Sequence, residues 1–210
     1  KQHQTENAIN LLKDNIGKEE SSSPLFYALL SSIYLDQNEK DMSLTTLEEG
    51  VAHFPKNHQL HFELGLLLEK SNRTDDAIVE MRKVLELQPN HSDALNFIGY
   101  SWADKNINLE EALSYILRAI ELKPENGFII DSLGWVYYRM GRFQEAADTL
   151  EHAISLQPND PHIFEHLGDT YMALDQGNDA QKAYEKAYEL FEDKHEKSAV
   201  KEKINAINKE

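Results

Sequence analysis

GFIIDSLGWVYYRMGRFQEAADTLEHAISLQPND, residues 127–160, decides how the chain is read. Leu133-Gly134 is followed by Tyr137, then by Ala146, Leu150, Ala153 and Pro158. This spacing describes a helix–turn–helix unit of about 34 residues. Gly134 falls where the first helix meets the second, and Ala146 answers it from the second helix. Ala153 faces the first helix of a following unit. Small residues at these places let helices approach to the ordinary interaxial distance of about 8–10 Å. Pro158 stops the second helix, because proline cannot continue the backbone hydrogen-bond ladder. One such hairpin cannot bury its apolar face alone, so copies are expected to stack around a continuous core.

The copies are present on both sides. Residues 24–57 carry Tyr27, Leu30, Ser31, Tyr34, Leu47, Gly50 and Pro55, with Ser31 in place of the glycine and Ser43 in place of the alanine. Residues 58–91 carry Leu64-Gly65, Leu68, Ala77, Met81, Val84 and Pro89. Residues 92–126 carry Ile98-Gly99, Trp102, Ala112, Ala119 and Pro124, and their internal turn, Asp104 to Asn108, holds one extra residue. Residues 161–191 carry Leu167-Gly168, Tyr171, Ala180, Tyr184 and Ala187 without a closing proline. In residues 1–23, Ala8, Ile9, Leu12 and Ile16 have helical spacing. This stretch reads as the second helix of an earlier, partial repeat, or as a plain N-terminal cap, followed by a loop at Gly17 and Ser21-Ser22-Ser23. Residues 192–210 place Ala199, Val200, Ile204 and Ile207 on one stripe with Lys and Glu around them, as expected of a helix that caps an array with a polar outer face.

Composition narrows the function. The formal net charge is −16, from 37 acidic and 21 basic residues. So acidic a surface repels phosphate backbones and anionic membranes, so neither nucleic acid nor direct membrane insertion is expected. There is no cysteine, which excludes disulfides and thiolate metal sites. No apolar run reaches the roughly 18 residues that span a bilayer. The chain begins at Lys1, and is expected to be a fragment of a longer precursor.

Five registered copies over residues 24–191 resemble the tetratricopeptide repeat family. That resemblance implies an all-α fold, a right-handed α-solenoid of helix–turn–helix repeats with a C-terminal capping helix. The runs Leu95 to Tyr100 and Asp131 to Val136 resemble bacterial arrays that are often exported or outer-membrane lipoproteins acting as adaptors. The resemblance further implies a peptide- or protein-binding groove lined by the first helices. The second, fifth, ninth, twelfth and thirteenth positions of each copy would face it. Those positions nominate Phe62, Leu66, Asn96, Tyr100, Asp131, Trp135, Tyr138, Arg139, Glu165 and Asp169 as partner-binding residues. Aromatics beside polar groups are what binding hot spots use. Aromatic stripes at helical spacing also serve as core, and both roles stay open for Phe62, Tyr100, Trp135 and Tyr138.

Other chemistry is thin. His162-Ile163-Phe164-Glu165-His166 matches a zinc-hydrolase pattern, H-x-x-E-H, that would put both histidines and Glu165 on one helix face. No third ligand motif follows it. His58 and His61 fall at a helix start and read as surface residues. No catalytic residue, metal or cofactor is expected. The function expected is a non-enzymatic module binding a protein or peptide with apolar or aromatic anchors and basic flanks. The alternative is a self-association module within a larger array.

Overall fold

The computed structural model describes residues 2–16, 18 and 22–207; Gly17 and Ser21 of the expected loop lie outside the described residues. Among the described residues there are twelve helices and no strand. They are α1 (Gln2–Ile16), α2 (Pro24–Asp36), α3 (Lys40–His53), α4 (His58–Glu69), α5 (Thr74–Leu87), α6 (Ser92–Asp104), α7 (Leu109–Leu122), α8 (Gly127–Arg139), α9 (Phe143–Leu156), α10 (Pro161–Ala173), α11 (Gly177–Leu190) and α12 (Lys194–Ile207). From α2 to α11 they form five hairpins. The chain divides within α6 into two compact units, residues 1–94 and 95–210.

First and second helices start differently. The first helices are capped by side chains: Ser23, Asn57, Asn126 and Asp160 each accept from a backbone N–H in the opening turn. These bonds satisfy donors that the helix itself leaves unpaired. The second helices α3, α5, α7, α9 and α11 lack a side-chain cap and instead carry Asp or Glu in the first turn, where the helix dipole favours negative charge.

Within each hairpin the turn is one device repeated. Asn38, Asn72, Asn106, Gly141 and Asp175 all have φ between +55° and +75°, at intervals of about 34 residues. The amide after each bonds back to a carbonyl five residues earlier, as Arg142 does to Tyr137 at 2.9 Å and Gln176 to Tyr171 at 2.8 Å. This is a Schellman closure, which needs a left-handed residue and so favours Gly, Asn or Asp. The extra residue of the third copy is accommodated by a second left-handed residue, Asn108 at φ 49°.

The packing glycines sit under large side chains of the second helix. A Cβ added at Gly65 would lie 2.8 Å from Met81, at Gly99 2.8 Å from Ile116, and at Gly134 2.6 Å from Leu150; Gly168 is tighter still against the Tyr184 ring. Leu150 thus presses on Gly134 more closely than Ala146 does, whose carbonyl would be 3.5 Å away. In the first hairpin Ser31 and Ser43 stand at the glycine and alanine positions. Both are buried, and their hydroxyls bond each other at 2.7 Å.

The sequence-based placing of His61 at the surface is overturned. It is 7% exposed, with Nδ1 2.5 Å from Glu80 Oε2 and Nε2 3.1 Å from the Pro55 carbonyl. A helix start alone suggests solvation, but the following helix brings the Glu80 carboxylate onto the ring. His58 is half-buried. Among the described residues no helix is long and apolar enough to cross a membrane.

Candidate functional site

Unit 2 brings a group of side chains together on its first helices. Tyr138 and Trp135 lie one turn apart on α8, with ring centroids 4.8 Å apart and planes within 10°. His166 of α10 stacks on Trp135 at 4.3 Å and 19°. The Arg139 guanidinium lies 5.5 Å from the Trp135 ring centroid, within reach of its electron-rich face. Tyr100 of α6 reaches His166 with centroids 6.4 Å apart. Trp135 is only 8% exposed, and its indole Nε1 makes no hydrogen bond among the described residues.

The carboxylates of this group are compensated within the chain. Asp131 Oδ1 lies 2.8 Å from His166 Nδ1. Burial disfavours the charged imidazole, but Asp131, with help from Asp169 and Glu165, overrides it and raises the His166 pKa. Lys203 of α12 places its Nζ 2.8 Å from Glu165 Oε1, and 2.7 and 2.9 Å from the two Asp169 oxygens. The Lys203 pKa is likewise raised: burial opposes the charge, and the bonds to Asp169 and Glu165 outweigh it. Tyr184 donates its hydroxyl proton to Asp169 at 2.7 Å, and burial together with that bond pushes its pKa up.

Family models for the tetratricopeptide repeat match residues 29–89, 70–127 and 161–194, and one for the TPR repeat matches 134–175. The chain belongs to the tetratricopeptide repeat family. A TPR repeat-containing protein of Pseudomonas aeruginosa is 34% identical over 111 residues, 53% of this chain and 18% of its own length. A human protein O-mannosyl-transferase is 27% identical over 141 residues, 65% of this chain and 16% of its own length. The chain therefore spans less than a fifth of either relative. Among solved structures, a tetratricopeptide repeat protein from Parabacteroides merdae superposes with TM-score 0.80 at 20% identity, covering 99% of this chain and 81% of that one. MamA from Desulfovibrio magneticus RS-1 gives 0.68 at 22% identity over 80% and 94%. PilW, a type IV pilus biogenesis factor, gives 0.71 at 20% over 79% and 76%. At these identities the likeness shows the tetratricopeptide solenoid fold alone.

The nominated positions of this tetratricopeptide array fall into two places. Asp131, Trp135, Tyr138, Arg139, Glu165 and Asp169 belong to the unit 2 group, with Tyr100 at its edge. Asn96 lies one turn before Tyr100 on α6, half-buried, its Oδ1 without a hydrogen bond among the described residues. Phe62 and Leu66 belong to unit 1. There Phe62 packs on His91 at 4.7 Å, and Leu66, 39% exposed, lines an apolar cleft between α2 and α4 with Ala28, Leu35 and Lys70.

Three members of the unit 2 group were missed in the sequence: His166, Tyr184 and Lys203. The zinc pattern had placed His162, Glu165 and His166 together. Instead His162 turns to Phe191 and Glu196, Glu165 to Lys203, and His166 to Asp131 and Trp135. Among the described residues no group of three His, Asp or Glu side chains is placed to hold a metal ion. Lys203 adds a second cation to this group, beside Arg139. Its signal was present: Val200, Lys203, Ile204 and Ile207 form an i, i+3, i+4, i+7 stripe, with lysine on the apolar face.

Proposed function

We propose that this chain is a non-enzymatic protein-binding module, and that the unit 2 face built on Trp135 is where a partner segment docks. Tetratricopeptide repeat proteins bind protein partners and are generally non-catalytic scaffolds, which supports the coarse reading. The finer one is carried by a single observation: Tyr138, Trp135 and His166 stack face to face, with the Arg139 guanidinium beside the indole. Large aromatics flanked by a cation are also frequent anchors of interfaces.

The partner that fits has an apolar or aromatic anchor and basic flanks. Asp131, Glu165 and Asp169 are already compensated within the chain, so the flanks answer the overall charge of −16 and act chiefly on the rate of encounter. A peptide array varied independently in net charge and aromatic content, read with the parent chain and with Trp135→Ala, tests this. Capture of aromatic, basic peptides that falls at least tenfold in the variant is the expected result. Preference for acidic peptides with free carboxylate ends, or capture that ignores Trp135, overturns it.

A further inference from the structure

The last described helix, α12, packs on the last hairpin of unit 2. Val200 is fully buried, and Ile204 and Ile207 pack with it against Ala180, Tyr184, Ala187 and Phe191. Between these apolar contacts Lys203 projects across to α10, where three carboxylate oxygens meet its ammonium and the Tyr184 ring lies 5.4 Å from it. The face thus receives one defined pattern: apolar, lysine, apolar, apolar at i, i+3, i+4 and i+7. Glu165 and Asp169 are only 23% and 19% exposed, with Lys203 at 33%. Without a cation there, two half-buried carboxylates one turn apart on α10 would repel each other.

The helix that supplies the pattern is held by little. Of the helices in unit 2, α8 has eight buried residues, α10 and α11 four each, and α12 only Val200. It joins α11 through Phe191, Glu192 and Asp193, which are not helical. Local opening follows buried apolar contact, so α12 should open before α8, α10 and α11.

We propose that the α10–α11 face is a docking surface for a partner's lysine-bearing amphipathic helix, and that α12 occupies it in the free chain. This rests on the protein-binding reading and specifies the partner: a helix with an apolar residue, a lysine three positions on, and apolar residues four and seven positions on. The partner's lysine takes the place of Lys203 between Glu165 and Asp169, and its apolar residues take the places of Val200, Ile204 and Ile207.

The test uses the 210-residue chain and a fluorescein-labelled peptide copying residues 194–210. Anisotropy is read for the parent chain, for Lys203→Gln, and for Lys203→Gln carrying Glu165→Gln and Asp169→Asn. The peptide should bind Lys203→Gln at least tenfold more tightly than the parent, whose own α12 competes. It should lose that gain in the triple variant. A peptide with its own lysine at 203 replaced by Gln should show no gain. Equal binding to the parent and Lys203→Gln chains, or equal binding of the two peptides, overturns the proposal. Hydrogen exchange on the unaltered chain is an independent check. Amides of α12 should exchange faster than those of α8 to α11, and equal protection overturns α12 as a removable occupant. Loss of the peptide effect with Trp135-dependent capture intact removes only this docking helix. Loss of Trp135-dependent capture with the peptide effect intact removes only the Trp135 site.

Discussion

Ser31 and Ser43 show how a single hairpin tolerates two departures from the pattern of its neighbours. The other copies have glycine and alanine at these two positions; here the two hydroxyls satisfy each other at 2.7 Å, so polar atoms lie paired inside the helix contact. Removing one partner leaves the other buried and unpaired. Ser31→Ala or Ser43→Ala should each cost about 1–3 kcal/mol, whereas Ser31→Ala with Ser43→Ala should recover most of the loss. Denaturant unfolding of the three variants gives the coupling, and additive costs would show that the pair does not act as a unit. The Asp131–His166 pair has a different signature. Its imidazole pKa is raised in the folded chain, so the stabilisation is complete below the ordinary histidine value of about 6.5 and is lost as pH rises through the raised value. Unit 2 should therefore weaken with rising pH across that window. Asp131→Asn should cost about 1.5–3 kcal/mol at pH 6 and flatten the slope. Melting temperatures of the parent and the variant over pH 6 to 9 decide it.

At the scale of the helix, sequence and structure agree most where periodicity alone fixes the outcome. Glycines at Gly65, Gly99, Gly134 and Gly168 mark the hairpins because a fixed local register puts a large second-helix side chain above each. The left-handed turn residues and the capping Asn and Asp residues also make bonds that close within a few positions, but the repeat spacing does not single them out. The contacts of α12 are not legible this way. Asp169 and Lys203 are 34 residues apart, and only the folded last hairpin brings them together. Asp131 and His166, 35 residues apart, meet across neighbouring hairpins, where no local rule pairs them. The aromatic residues illustrate the limit: spacing put Trp135 on the inner positions, but only packing shows it stacked and 8% exposed. For α12 itself, deleting residues 194–210 should uncover Tyr184 and Phe191, which now pack under Val200. The truncated chain should melt lower and self-associate with rising concentration in light scattering. A monomer with an unchanged melting temperature would show that α12 contributes no cover.

Over the whole chain, stability in an array approximates a sum of hairpin and neighbour terms. Ala146 is fully buried in unit 2 beside Ala147 and Leu150, so Ala146→Leu should overpack that region at a cost of about 1–3 kcal/mol. Hydrogen exchange should speed up from α8 to α11 and change little from α2 to α5. Uniform loss of protection from residue 24 to 191 would show one tightly cooperative body instead. The two units found by packing make the local outcome the expected one.

The stack on Trp135 also gives the molecule a built-in optical probe. The chain has two tryptophans. Trp102 is buried against Tyr115, whereas Trp135 lies face to face with an ionisable imidazole. A protonated imidazole in van der Waals contact with an excited indole quenches its emission, and the neutral ring does so far less. In a Trp102→Phe background, emission should rise as pH climbs through the His166 transition, and His166→Gln should remove that rise. The same signal would register any ligand that separates His166 from the indole, so occupancy of this face can be followed by fluorescence without an attached label.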